Sequence, residues 1–371
     1  MARTIVGVND AKAVKRYSGL LAYDESQKSY WGQRFVGRGA EAEVPVQILS
    51  ELESDAGEQI TYDLLAELKM APVEGDDILE GKEEAQKFYT DAIYIDQARC
   101  GVNTGGRMTR KRTLHNLREK ARRQQSSWWA RLKDELRFIY LSGARGINAN
   151  FILPLGYTGR ANNALVAPDT NHILYGNDAT AKANVDSNDK FDLRLIDRAK
   201  TKADSQGGGA TDIPVLQPCK IDGEEVFVCV MHTFQEDDLR SNTSTGQWLD
   251  IQKAIAASEG RKSPMVKGSL GMYRGCILHS HRNVIRFSDY GAGSNVEAAR
   301  GLFLGAQALV EAYGSPGTGL RFDWTEEPRD NNNQVVISSS CIWGTKKVSF
   351  TTGIGAQDFG VFALDTAAAS R

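Results

Sequence analysis

The sequence predicts an α+β fold, and three observations carry that reading. Residues 110–141 bear one long helical stripe, several other stretches have the pattern of antiparallel hairpins, and helices and strands follow one another without regular β-α alternation. In the helix, Leu114, Leu117, Ala121, Trp128 or Trp129, Leu132, Leu136 and Ile139 or Tyr140 fall mostly three or four apart, with Gln125 alone diluting the stripe. Neither Pro nor Gly interrupts it, so at about 1.5 Å per residue the rod would run roughly 45 to 50 Å. Its net charge is +7, with Arg118, Arg122 and Arg123 off the apolar stripe. Such a face calls for a counter-surface of opposite sign, unless it is an ordinary solvated face.

Taken in order, residues 1–45 are mixed, with tyrosines and Trp31 among charges and no sustained period, which reads as an arm lying on something else. Residues 34–39, RFVGRG, read as a basic turn. The segment 40–91 carries a net charge of −12. Within it, 60–65 and 89–95 read as strands around a polar turn at 75–81, a projecting hairpin too poor in apolar surface to stand alone. After the helix, 142–187 is rich in Gly and Asn and reads as a long loop that either carries function or is mobile. Helical spacing returns at 189–203, and glycines 207–209 mark a hinge.

Asp222 and Gly223 turn a hairpin whose second strand, VFVCVM, is apolar on both faces as a central strand is. Residues 245–258 read as a helix stopped by Gly260, and 272–287 as two strands bent at Arg282 and Asn283. Ser294 and Glu297 have capping-box spacing, which predicts a helix through Leu302, Phe303, Ala306, Leu309, Val310 and Tyr313, stopped by Gly314. The remainder is β, including a hairpin 320–343 with an Asp-Asn-rich tip.

Composition narrows the function. A net charge of −2 excludes a chain that binds nucleic acid by its overall field. Five cysteines without CxxC spacing point to reduced thiols, and neither a secretory signal nor a membrane-spanning run is present, so a soluble, non-secreted chain is expected. His279 and His281, two apart on a strand, present two imidazoles on one face, which offers a metal-dependent hydrolase as the alternative function. A third ligand with defining spacing is missing. The sequence GSPGTG at 314–319 follows its predicted helix instead of opening one, so it reads as a loop and not a phosphate cradle. No cofactor is expected.

The stretches RFVGRGAEAEV at 34–44, LEGKEE at 79–84, IDQARCGVNTGGRMT at 95–109, WWARLKDELRFIYLSGARG at 128–146, VCVMHTFQEDDLR at 228–240, QWLDIQKA at 247–254 and GMYRGCILHSHRNV at 271–284 together resemble the major capsid proteins of tailed bacteriophages, in particular the podovirus-like family with the Hong Kong 97 fold. The resemblance implies an N-terminal arm (1–45), an extended loop with flanking strands (46–109), a peripheral domain (110–205) with its spine helix at 110–141, an axial domain (206–320), a return hairpin of the peripheral domain (321–352) and a C-terminal strand and tail (353–371). It implies no enzymatic activity. It also implies hexamers and pentamers of this chain in a virion shell assembled in the host cytoplasm, with a separate scaffolding protein, a portal, room for a decoration protein, and packaged DNA held non-specifically, with no membrane. The opposed charge blocks then suggest an inter-subunit contact in which Glu74, Asp76, Asp77, Glu80, Glu83 and Glu84 approach Arg118, Arg122 and Arg123 of an adjacent copy, with Trp128 or Trp129 among the apolar anchors.

Overall fold

A computed structural model of the chain describes residues 11–32, 34–39, 42–53, 57–66, 68–113, 115–206, 215–221, 223–242, 269–314, 321–352 and 355–370. The expected helix at 245–258, the hinge at 207–209 and the loop beyond Gly314 lie outside the described residues.

The supposed irregular arm contains helix α1 (Ala11–Lys28), and strand β1 (Val36–Arg38) occupies the expected basic turn. Strand β2 (Val46–Leu49) follows. The acidic hairpin forms as expected, from β3 (Gln59–Leu65) and β4 (Phe88–Tyr94) with Ile60 opposite Ile93, and β5 (Asp96–Asn103) comes next.

The expected single rod is two helices, α2 (Arg107–Arg112) and α3 (Leu117–Ser142). The break has a local cause. Asn116 is a good N-cap, and its side chain accepts from the Glu119 amide at 3.3 Å, so a fresh helix starts there. At the far end Gly143 takes the left-handed conformation, φ 69°, that closes the helix. Among described residues α3 is the longest helix, and its second half is buried nearly all round, Lys133 to Ser142.

Short strands β6 (Gly159–Arg160), β7 (Asn163–Ala164) and β8 (Ile173–Tyr175) punctuate the long loop, and α4 (Leu193–Gln206) follows. Strands β9 (Cys219–Ile221) and β10 (Glu224–Met231) make the Asp-Gly hairpin, and α5 (Thr233–Ser241), which periodicity did not reveal, is capped by His232 with Gln235. Then come β11 (Gly271–Tyr273), β12 (Cys276–Ser280) and β13 (Arg286–Tyr290).

The helix expected from the Ser294 capping box is instead two strands, β14 (Val296–Leu304) and β15 (Leu309–Gly314). A strand buried on both faces is a continuous apolar run whose spacing also fits a helix, and β14 is such a strand, lying between β10 on one side and the C-terminal strand on the other. Ser294 sits in a turn at φ 50°, and Glu297 binds Arg286 at 3.0 Å instead of closing a box. The rest is β16 (Phe322–Arg329), β17 (Gln334–Lys347), β18 (Ser349–Thr352), β19 (Gly355–Asp358) and β20 (Val361–Ala367). Asp330, Asn331 and Asn332 turn the β16–β17 tip with positive φ, which Asn and Asp tolerate best after Gly.

The strands form two main sheets. In the first the order is β1-β2-β15-β17-β16, with β5 along the opposite side of β17. In the second the order is β11-β12-β10-β14-β20-β8, with β13 on β14 and β9 on β10. Sheet membership cuts across sequence order: β15 pairs with the strands of the first sheet, while β20 joins the second. Helix α3 lies in the core common to both, where Trp129, Leu136 and Ile139 pack with Trp324 and Trp343 of one sheet and Val228, Ile277 and Leu302 of the other. The other face of the second sheet is covered by α4, through Leu195, Ile196 and Ala199 on Phe227, Leu278 and Phe303.

Candidate assembly surfaces

Two of the ten cations read on the long helix are internal. Lys133 and Arg137 are buried, Lys133 facing Glu25 at 3.6 Å and Arg137 clasping Glu311 at 2.6 and 2.9 Å. Burial alone would discharge Lys133, yet Glu25, Tyr313, Cys341 and Glu311 outweigh it and its pKa is raised. Asp134 receives hydrogen bonds from Ser29 Oγ (2.6 Å) and the Tyr30 amide (2.7 Å), so this cluster ties α1 and the turn after it to α3. It also explains why α1 shows so little apolar periodicity, since polar contacts hold much of its α3-facing side.

The three arginines expected to meet a neighbour already have partners within their own chain. Arg118 Nε donates to Glu326 at 2.5 Å and its guanidinium lies 4.5 Å from the Tyr17 ring. Arg122 pairs with Asp24 at 3.0 Å and is largely covered, and Arg123 pairs with Glu119 at 2.8 Å while staying exposed. Reversing Arg118 and Arg122 would therefore weaken the subunit itself. Of the two tryptophans, Trp129 is wholly buried, its Nε1 donating to Ser339 Oγ at 2.8 Å; Trp128, edge-on to it at 4.9 Å, is the half-buried one. Gln125, the blemish in the stripe, donates to the Ile337 carbonyl at 2.9 Å.

The acidic loop has the opposite character. Glu74, Asp76, Asp77, Glu80 and Glu83 are exposed, and beside them Ile78 is 71% and Leu79 52% exposed. Its shape is set internally: Glu84 accepts from the amides of Lys69 (2.6 Å) and Met70 (2.7 Å), and Glu83 from that of Gly81 (2.7 Å). A cationic surface that sequence reading passed over is α2, where Arg107, Arg110, Lys111 and Arg112 have no ion-pair partner among the described residues. It borders a cleft of about 380 Å³ with apolar Leu117, Val335 and Ile337 in its lining and Arg110, His115 and Arg118 around them. The signal was present as four cations in six residues, of which Arg110, Lys111 and Arg112 were counted into the rod because the cap was missed.

His279 and His281 do share a face, as expected, but that face is aromatic. His279 meets the edge of Phe35 at 5.2 Å, and His281 stacks on Phe138 at 5.1 Å beside Tyr30 at 4.3 Å. Burial, helped by Arg282, Arg34 and His232, pulls the His281 pKa down to about 4. Among the described residues no group of three or more His, Cys, Asp or Glu is placed to hold a metal ion. All five cysteines are free thiols. No helix is long and apolar enough to cross a membrane among the described residues.

Two sheets bound by one long helix, with a two-stranded acidic loop projecting from them, form the Hong Kong 97-like subunit of tailed-phage capsids. The same architecture is seen in the capsid of Ralstonia phage GP4, with a TM-score of 0.85 and 47% identity over 100% of this chain and 99% of that one. The chain belongs to the phage capsid protein family, whose profile matches residues 5–370. It is also similar to the major capsid protein of Pseudomonas phage KPP25, 26% identical over 387 residues, covering 95% of this chain and 98% of that protein. The capsid subunit of cyanophage Pam1, 21% identical with a TM-score of 0.67 over 90% of this chain and 91% of that one, shares the fold.

Proposed function

We propose that the chain self-assembles, as hexamers and pentamers, into the icosahedral shell that encloses the double-stranded DNA genome of a tailed bacteriophage. Its work is association and not catalysis. It assembles in the host cytoplasm with a separate scaffolding protein and a portal, and the domain division given above describes its parts in that shell. The observation that carries this reading is the loop: a family member that holds Ile78 and Leu79 in solvent among an excess of acids, of which Asp77 has Lys82 at 3.6 Å, has a surface built to be covered. A closed shell supplies the cover, because each copy's loop meets the same surface of its neighbour by symmetry.

Within this reading Glu74, Asp76, Asp77, Glu80, Glu83 and Glu84 approach the start of the helix pair in an adjacent copy. Arg118 and Arg123 form the rim of that surface, the α2 cations its centre, and Trp128 an apolar margin. Arg122 and Trp129 support it from inside their own chain. Single exposed ion pairs contribute at most about 1 kcal/mol, yet a repeated set fixes partner and register. Electron microscopy of the purified chain tests the function: hexamers, pentamers or shells are expected, and a chain that stays monomeric at high concentration refutes it. Reversing Arg107 and Lys111 to Glu should stop assembly without loss of helical circular dichroism, and reversing Asp76, Asp77 and Glu80 to Lys in that variant should partly restore it. Normal shells from the arginine-lysine reversal would remove α2 from the contact.

A further inference from the structure

Helix α4 packs on the face of the second sheet opposite to α3. Its inner side is the apolar layer of Leu195, Ile196, Ala199 and Ala203. Its outer side presents Arg194, Arg198 and Lys202, one helical turn apart in a straight line, at intervals of about 6 Å. The helix's other charges are matched: Asp197 pairs with Arg274 at 2.9 Å and Lys200 with Asp204 at 2.8 Å. These three are not. None has a carboxylate within ion-pair distance among the described residues, and Arg198 makes only neutral contacts, Nη1 donating to the carbonyls of Tyr175 and Asn177 at 3.1 Å each.

The line of cations follows an open groove of about 450 Å³ lined also by Leu174, Thr201 and Ser205. Thr201 is exposed and its hydroxyl can donate to an anion's oxygens, whereas the Ser205 hydroxyl donates to the Thr201 carbonyl at 2.7 Å. Partial burial and the like charge of Arg198 pull the Lys202 ammonium below its ordinary range, against the pull of Asp169, so an added anion would relieve a strain already present. One carboxylate, Asp197, also lines the groove, but it is held by Arg274 at 2.9 Å and by the Tyr273 hydroxyl at 3.1 Å, so the three cations are left without an ion pair along this line among the described residues. What fits is a linear polyanion whose charges repeat at a similar spacing to one helical turn.

We propose that the Arg194–Arg198–Lys202 groove of α4 binds the phosphodiester backbone of nucleic acid without sequence preference. The proposal rests on the shell reading only for its biological setting, the packaged DNA; the chemistry stands on the groove. Three contacts per copy are weak alone, and hundreds of identical copies would make them sufficient while leaving each strand free to release.

The test is fluorescence anisotropy of a mixed-sequence duplex oligonucleotide with the full chain over a salt series. Three phosphate contacts predict that Arg194→Glu/Arg198→Glu/Lys202→Glu lowers the magnitude of the log-log salt slope by about 2.7. Because Arg198 also holds the β8 turn, Arg194→Glu/Lys202→Glu is the second variant, with an expected fall of about 1.8 and unchanged circular dichroism. Arg107→Glu/Lys111→Glu, expected to block assembly, supplies an unassembled background in which the α4 substitutions should still lower the slope by the same amounts. An unchanged slope in the folded double variant overturns the proposal. So does an unchanged slope combined with loss of assembly, which would assign the groove to contact between copies. A lowered slope from a wild-type chain that forms no shells would keep the groove and discard the shell reading.

Discussion

The buried Arg137–Glu311 pair is where the fold should be most sensitive to one side chain. Both groups are almost fully enclosed, 3% and 1% exposed at the side chain, and the guanidinium also donates from Nη1 to Ser29 Oγ at 3.1 Å. Arg137→Met removes the fork and leaves the Glu311 carboxylate with the Tyr313 hydroxyl at 3.2 Å and the charge of Lys133. Leaving one member of a buried pair typically costs 3–5 kcal/mol, and because Lys133 remains nearby the lower end, about 3 kcal/mol, is expected. With a urea dependence of about 3 kcal/mol per molar, that moves the midpoint down by about 1 M. Arg137→Met/Glu311→Leu removes both charges but leaves buried Asp134 without Arg137 at 3.5 Å, so it should recover only part of the loss and be more stable than the single variant by about 1 kcal/mol. Circular dichroism of the unassembled chain through a urea series reads all three. A single variant within 1 kcal/mol of wild type, or a double variant as unstable as the single, would show that these charges are solvated or easily rearranged and would refute the account of the α1–α3–β15 cluster.

Other perturbations test separate parts of the structure. His281 has its pKa depressed to about 4 by burial, from an ordinary 6.5, so the unfolded chain takes up the proton first. Stability from this site is complete above pH 6.5 and is lost as pH falls toward 4, by at most about 3 kcal/mol. His281→Phe should flatten that part of a urea-midpoint profile measured between pH 7.5 and 4.5, and an unchanged slope would place the ring in solvent. Gly143→Ala puts a Cβ 2.2 Å from the Val166 carbonyl at φ 69°, so a loss above about 2 kcal/mol is expected in thermal unfolding, the left-handed penalty plus displacement of the 166–167 backbone. Asn116→Ala removes the α3 cap and should cost about 1 kcal/mol. If it instead raises helical dichroism, α2 and α3 have fused into the single rod that the apolar spacing describes.

What could be read from the sequence was whatever depends on neighbours in the chain. The acidic hairpin, the Asp-Gly hairpin and the long helix's stripe are local patterns, and they appear where expected. The N-cap at Asn116 was equally local, followed three residues later by Glu119, but an uninterrupted stripe on either side concealed it. Strands β14 and β15 could not be told from a helix, because burial on both faces erases the period that distinguishes them. The roles of the charges were legible only in sign: nothing in the sequence says that Arg122 belongs to Asp24, nearly a hundred positions earlier, while Arg107 and Lys111 have no ion pair among the described residues. For the same reason His279 and His281 looked like ligands until Phe35 and Phe138 took the places beside them. Family resemblance supplied the architecture that local patterns did not.

The way the sheets are closed constrains the order in which this subunit can be made. Strand β2 pairs with β15, β5 with β17 and β8 with β20, so the first sheet needs strands from the beginning and the end of the chain and the second joins the middle to the end. Trp129 finds its hydrogen-bond partner Ser339 only 210 residues later, an interval of about 10 to 40 s at ordinary rates of synthesis. During that interval α3 leaves the ribosome with its aromatic side uncovered and its buried charges unpaired. Such non-local closure slows folding and exposes sticky intermediates. Production of the subunit is therefore expected to depend strongly on chaperone capacity and temperature, and a phage relying on it would be limited during a burst by the rate at which completed chains mature, before any shell is built.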